Sequence, residues 1–402
     1  MQARIRISVL ASIPRSVWVL GCVSLCMDIS SEIVHSLLPM FLTVSLGASA
    51  ATIGLIEGIA EATAPIVKVF SGALSDYLGN RKWLAVAGYA LGALSKPLFA
   101  IAPTVGVVVS ARVIDRIGKG IRGAPRDALV ADVTPVHLRG AAFGLRQSLD
   151  TIGAVLGPLF AVVIMSVWAD NFRLAFWLAV IPGVLAVALL MVGIHEPARE
   201  AGAKRVNPVR LENLKKLGPR YWWVVAIGAV FALARFSEAF LVLRAMGSGV
   251  PIALVPLVMV TMNIVYSLSA YPFGKLADTM NHKRLLIAGV VVLIVSDLVL
   301  AHGSHWSIVL LGVALWGLHM GMTQGLLATM VSHTAPAQLR GTAFGFFNLL
   351  GGVVTLLSSV IAGELWDKIG ATATFYAGAV FCLATIALLV AGKAPDTRAT
   401  SH

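Results

Sequence analysis

Three ionisable residues lie in one long apolar stretch at helical spacing. Asp28, Glu32 and His35 fall at i, i+4 and i+7, so one helix face carries two carboxyls and an imidazole. A second apolar stretch carries Glu57 and Glu61, again four apart, with Glu57 close to one end of it. An ionisable group at mid-bilayer depth costs at least about 2.5–3.5 kcal/mol on insertion scales, so each needs a physical reason to be there. Two facing helices of this kind would bring four carboxyls and an imidazole to one cavity. Crowding and loss of water both favour the neutral carboxylic acid, which suits a group that takes up and releases protons near neutral pH. The oxygen and nitrogen donors of Asp28, Glu32, His35 and Glu61 would equally suit a divalent metal cation. A purely structural network with Lys68, Lys96 or nearby arginines is the competing reading.

A third stretch is richer in charge. Arg112, Asp115, Arg116, Lys119, Arg122, Arg126, Asp127 and Asp132 lie close together, and 115, 119, 122 and 126 share a helix face. Arg116 is expected to couple to a membrane carboxylate, with Asp28 and Glu32 as first partners, and Asp115 and Lys119 join it as candidates. From Arg122 onward the stripe is expected to reach headgroups or water. Arg146 and Asp150 are four apart and read as a local pair, as do Arg235 and Glu238. Asp297, His319, Gln324 and Glu364 complete the set, leaving most of the embedded charge in the first half of the chain. Proton coupling is therefore expected there, with apolar walls in the second half.

The elements that must hold these residues are membrane spans. The chain has 402 residues, of which 58% are hydrophobic and 12% charged, against roughly 25% charged in soluble chains. Mean hydropathy is +0.87. Twelve apolar runs long enough to cross a bilayer are expected, at about 16–45, 52–77, 83–101, 104–133, 140–167, 173–194, 220–245, 251–278, 284–301, 305–332, 341–366 and 370–391. Cys22, Cys26 and Cys382 all lie in such runs, so no disulfide framework is implied.

The net charge of +12 would suggest nucleic acid in a soluble protein, but its placement gives a different account. Arg4, Arg6, Arg15, Arg81, Lys82, Arg139, Lys283, Arg284, Arg340, Lys393 and Arg398 fall in the arms and in alternate turns, while the turns near 46–51, 101–104 and 246–251 have no Lys or Arg and the other outer turns carry only Asp170, Arg173, Asp367 and Lys368. By the positive-inside rule both termini face the cytoplasm. No nucleic-acid partner is expected; the basic connector 195–219 faces anionic lipid. The division is then a first bundle at 1–194, a linker at 195–219 and a second bundle at 220–402.

Two segments recur. Gly72 to Lys82 is echoed by Gly274 to Arg284, offset by 202, and Leu138 to Gly144 by Leu339 to Gly345, offset by 201. A constant offset in so apolar a chain means two homologous bundles, the architecture of alternating-access transporters. No His-Glu-x-x-His or similar catalytic cluster and no cofactor motif is present, so neither an enzyme nor a cofactor is expected. A channel fits poorly with twofold repetition and repeated turn motifs.

Gly72-x-Leu74-x-Asp76-x-x-Gly79 followed by Arg81 resembles the loop 2–3 motif of the major facilitator superfamily, and Asp278 and Lys283 lie in its weaker second copy, where Asn281 replaces glycine. Arg116-x-x-Lys119-Gly120 resembles the fourth-helix motif, with Lys119 where glutamine is common. Gly153-x-x-x-Gly157-Pro158-x-x-Ala161 is similar to the motif of the proton-antiporter branch, with Ala161 replacing a glycine. The runs at 27–32, 57–62 and 115–132 resemble the subgroup containing bacterial nickel-resistance exporters, although the chain ends Thr400-Ser401-His402 without the His-rich tail some of them carry. The resemblance implies an all-α fold of twelve transmembrane helices in two pseudo-symmetric six-helix bundles, in the bacterial cytoplasmic (inner) membrane. It implies a proton-coupled efflux antiporter that exports a divalent metal such as nickel, or amphipathic drugs or organic anions. Its partners would be protons, a small-molecule or ion substrate and membrane lipid, and it would work as a monomer by analogy. Gly72, Asp76, Gly79, Arg81, Asp278 and Lys283 would act as gate residues.

Overall fold

The computed structural model describes residues 12–78, 80–194, 211–336 and 339–392. Arg4, Arg6, Gly79, most of the connector, Lys393 and Arg398 lie outside the described residues, as does the side chain of Asp76. Among the described residues the fold is all helix, matching the expected class.

Six long helices make up the first half: α1 (Arg15–Met40), α2 (Ala50–Leu78), α3 (Arg81–Ile101), α4 (Val105–Asp132), α5 (Arg139–Val167) and α6 (Phe172–Gly193). The second half contains α7 (Pro219–Leu233), α8 (Ala239–Met246), α9 (Leu257–Thr279), α10 (His282–His302), α11 (Trp306–Thr323), α12 (Leu326–Thr334), α13 (Arg340–Lys368) and α14 (Ala371–Ala391). Among the described residues, nine helical segments are long and apolar enough to cross a membrane. The charged α4 falls outside that set, as does α2, although both are among the longest helices of the chain.

By contacts the chain divides into two units. The first holds 1–38 and 63–207; the second holds 39–62 and 208–402. The end of α1 and the start of α2, with Glu57 and Glu61, therefore belong with the second unit.

The internal repeat is visible as local chemistry. Asn80 caps α3 by accepting from Trp83 N–H at 3.2 Å, and Asn281 caps α10 by accepting from Lys283 N–H at 2.9 Å. From these caps onward the two halves keep one constant offset. Helices α3 and α10 begin at Arg81 and His282, α4 and α11 at Val105 and Trp306, and α5 and α13 at Arg139 and Arg340. The turn motif itself aligns at an offset one larger, 202 against 201, so the register slips at the turn. Arg81 thus corresponds to His282 and Lys82 to Lys283, a register that loop alignment alone misses. The ammonium groups agree: Lys82 donates to Met191 O at 2.8 Å and Lys283 to Gly392 O at 3.2 Å.

Two expected spans are interrupted. Span 7 breaks between α7 and α8, and span 10 between α11 and α12. Broken backbone inside a bilayer must be satisfied by protein groups. At the first break Ser358 Oγ donates to Leu233 O at 2.7 Å, and Ser359 Oγ accepts from Ser237 N–H at 3.2 Å. At the second, Gly325 takes φ +75°, a left-handed conformation that a side chain would disfavour. Tyr266 there donates to the Gln324 side chain.

Candidate functional site

The first unit's site is built where α1, α3, α4 and α5 converge. Close approach comes from glycine. A Cβ built on Gly118 of α4 would lie 2.6 Å from Gly88 O of α3, so these backbones touch where any side chain would hold them apart. On the other side, a Cβ on Gly157 of α5 would fall 2.6 Å from the Cβ of Glu32, and one on Gly153 would fall 3.0 Å from that of Asp28. The glycines of the span 5 motif therefore seat α5 directly against the two acidic residues of α1. Pro158, buried within α5, follows them.

Asp28 Oδ1 lies 3.8 Å from Arg122 Nη2, and the Arg122 guanidinium sits 4.8 Å from the centre of the Tyr89 ring. Arg122, 4% exposed, belongs to this buried site and does not reach headgroups as expected. Its side chain folds inward because α3 offers an aromatic face and α1 a carboxylate. Glu32 Oε2 lies 3.4 Å from His35 Nδ1, one helical turn away. Arg116 and Lys119 act electrostatically on Glu32, and Lys119, Arg122 and Arg126 on Asp28. The α4 stripe is thus opposite the acids of α1, as the spacing implies.

Asp115 is held by the neighbouring helix α3. Its Oδ1 accepts from Lys96 Nζ of α3 at 2.6 Å, with both side chains almost wholly buried. Lys96 also reaches Ser31 Oγ at 3.3 Å, linking this pair to α1. A buried ion pair of this kind ties α3 to α4, and removing either partner strands a charge.

Toward the end of α4 that bears Asp132, the charges form a mesh. Arg126 bonds Ser24 Oγ at 3.1 Å and Asp127 at 3.1 Å, Lys68 lies 3.5 Å from Asp127, and Arg146 pairs with Asp150 on its own helix, as its spacing predicts. Arg81 pairs with Asp132. Of the expected gate residues, Gly72 packs near Ala124 of α4, Arg81 is held by this pair, and Lys283 bonds Gly392 O in the second unit. Asp278 is exposed. In the second unit, Glu57 is wholly buried despite its place near a helix end, and Glu61 is half-buried one turn along.

Sequence reasoning missed Ser24, Ser31 and Tyr89, all partners of the charged groups. Ser24 was legible: it lies one turn before Asp28 on the same face. Tyr89 left no signal, because an aromatic residue in an apolar run reads as core.

A family model described as Major Facilitator Superfamily matches residues 20–261 and 239–402. An uncharacterized MFS-type transporter of Methanocaldococcus jannaschii is 32% identical over 387 residues, covering 94% of each chain. The quinolone resistance protein NorA of Staphylococcus aureus is 26% identical over 349 residues, covering 83% of this chain and 86% of that one. Among solved structures, the nucleoside transporter NupG superposes with a TM-score of 0.73 at 14% identity, covering 94% of this chain and 98% of that one. At such identity this structure speaks for the fold alone.

Proposed function

Since the chain belongs to the major facilitator superfamily, we propose that this multi-pass membrane transporter is a proton-coupled exporter working by alternating access. Asp28 and Glu32 take up the coupling proton. The observation that carries this reading is the placing of Asp28 between Arg122 of α4 and the Gly153 face of α5. Protonation cancels the attraction between Asp28 and the guanidinium. It weakens the hold of α4 on α1 without disturbing the Lys96–Asp115 tie between α3 and α4. A two-state element biased by one neutralised charge is what coupling requires.

The cargo class is an amphipathic drug or organic ion. Similarity to a quinolone resistance protein supports it. A divalent metal such as nickel is the second reading, favoured by the carboxylate and imidazole of Glu32 and His35 at 3.4 Å. The protein sits in the bacterial cytoplasmic membrane as a monomer of two six-helix bundles, with both termini inside, the side on which its loop cations cluster. Arg81–Asp132 and the Lys82 and Lys283 contacts serve as latches at that side.

The test has two stages. Expressing cells are grown against nickel, cobalt, other metals and a panel of antibiotics to identify the cargo. Export of that cargo by Asp28→Asn and Glu32→Gln is then measured in energised vesicles. Asp28→Asn should lose gradient-driven export while remaining in the membrane, and Glu32→Gln should impair it. Normal export by both would remove the coupling role.

A further inference from the structure

The second unit contains a cavity of about 670 Å³, built from residues that take no part in the proton site. It opens among the first turns of α7, α10 and α13 and the last turns of α12 and α14. Its volume falls in the range of small-molecule sites, roughly 300–1,000 Å³. Trp223, Val224, Ile227 and Leu389 give it an apolar wall. Its polar lining is basic: Arg220, Lys283 and Arg340 contribute three cations, and His282 and His333 two imidazoles. No acidic residue is among the described residues lining it; Asp278 acts on His282 from outside the lining.

The internal repeat explains where the missing acid went. In the first unit Arg81 pairs with Asp132. The equivalent positions of the second half are His282 and His333, whose rings lie 6.0 Å apart at the cavity. The base became an imidazole and so did the acid, while the neighbouring lysine contact was kept, as Lys283 to Gly392 O. What is an internally neutralised helix end in one half is, in the other, a basic cavity beside an indole. Among the described residues that line it, none supplies the counter-charge.

We propose that this cavity binds an anionic amphiphile. A carboxylate or phosphate head is held by Arg340, Arg220 and Lys283, and its alkyl chain lies along the Trp223 wall. Charge-assisted hydrogen bonds hold the head and burial holds the chain. The proposal is independent of the proton-coupling reading, because none of these residues belongs to the Asp28 site.

The test uses the full-length protein and native mass spectrometry. The probes are dioleoylphosphatidylglycerol and dioleoylphosphatidylethanolamine in nanodiscs, oleate in detergent, and inorganic phosphate. Retention of phosphatidylglycerol over phosphatidylethanolamine identifies a bilayer source, and retention of oleate a free amphiphile; either supports the proposal. His333→Asp recreates the acid that the first half tolerates at the same place, and should weaken the retained probe by roughly tenfold or more. Arg340→Ala, a change at an exposed side chain, should do the same and keeps the test decisive should His333→Asp not fold. Three results would overturn the proposal. They are no preference for the anionic probes, unchanged retention in both variants, or phosphate binding as tightly as oleate, which would leave the apolar wall without a role.

Discussion

On the third and fourth helices of the first half, Lys96 and Asp115 form a buried ion pair. The equivalent positions of the second half hold Asp297 on α10 and Trp316 on α11. Asp297 is wholly buried, and neither carboxyl oxygen has a hydrogen-bond partner among the described residues. Trp316 instead joins an aromatic group with Phe236 and His319. The same two positions thus carry an ion pair in one copy and, in the other, a buried carboxyl and an indole packed on Phe236. The difference shows that the repeat specifies helix positions and close approaches, while each half fills the space with its own chemistry. A second contrast makes the same point: Gly157, seated on Glu32, corresponds to Ser358, whose hydroxyl repairs the broken helix at Leu233.

The largest effect expected from this contrast is on Lys96. Lys96→Ala leaves Asp115 buried without its ammonium partner and should cost about 3–5 kcal/mol, read as a fall in the thermal unfolding midpoint in detergent. Asp297→Asn, at a carboxyl with no partner to lose among the described residues, should cost far less. If the two variants unfold together, the asymmetry between the halves is not energetic. Gly157→Ala comes next. Its new Cβ would lie 2.6 Å from Glu32 Cβ, and overpacking of this kind costs about 1–3 kcal/mol. Ser358→Ala should lose only about 1 kcal/mol, the worth of its hydrogen bond to Leu233 O. The reverse order in the same unfolding assay would mean that the serine, not the glycine, fixes the helix contact. Smallest is the helix end. Arg81→Ala breaks a pair whose acid is a third exposed, so about 0–1 kcal/mol is expected. His282→Ala should be closer to neutral still.

Much of this was legible in the sequence. Spacing put Asp28 and Glu32 on one face, composition gave the spans, and the repeated motifs gave the family. Partner choice was not legible. Four residues at 115, 119, 122 and 126 on one face fix a stripe but not its rotation about the helix axis, so the pattern favoured Arg116 for Asp28 and sent Arg122 toward the headgroups, whereas Arg122 is the residue beside Asp28. The glycines at 88 and 118 set that rotation through a backbone contact; Gly118, with Gly120 and Gly123, marks a close approach in the sequence, but nothing there names Gly88 as its partner. The helix breaks at 234–238 and 324–325 were hidden because Arg235 and Glu238 read as a local pair on an unbroken helix and Gln324 as one polar residue of a long apolar run; the groups freed at the first are met by Ser358 and Ser359, far away in sequence. The slip of the repeat at the turn was hidden by the similarity of Arg81-Lys82 to Lys283-Arg284.

The most direct test compares Asp28 and Asp297 in one assay. Protein is reconstituted in liposomes loaded with a pH dye and given the cargo that the growth panel identifies, and cargo-driven proton movement is recorded for Asp28→Asn and Asp297→Asn. Proton exchange should vanish in Asp28→Asn and persist in Asp297→Asn. Exchange that survives the first change and disappears with the second would place the coupling acid in the wrong half of the molecule.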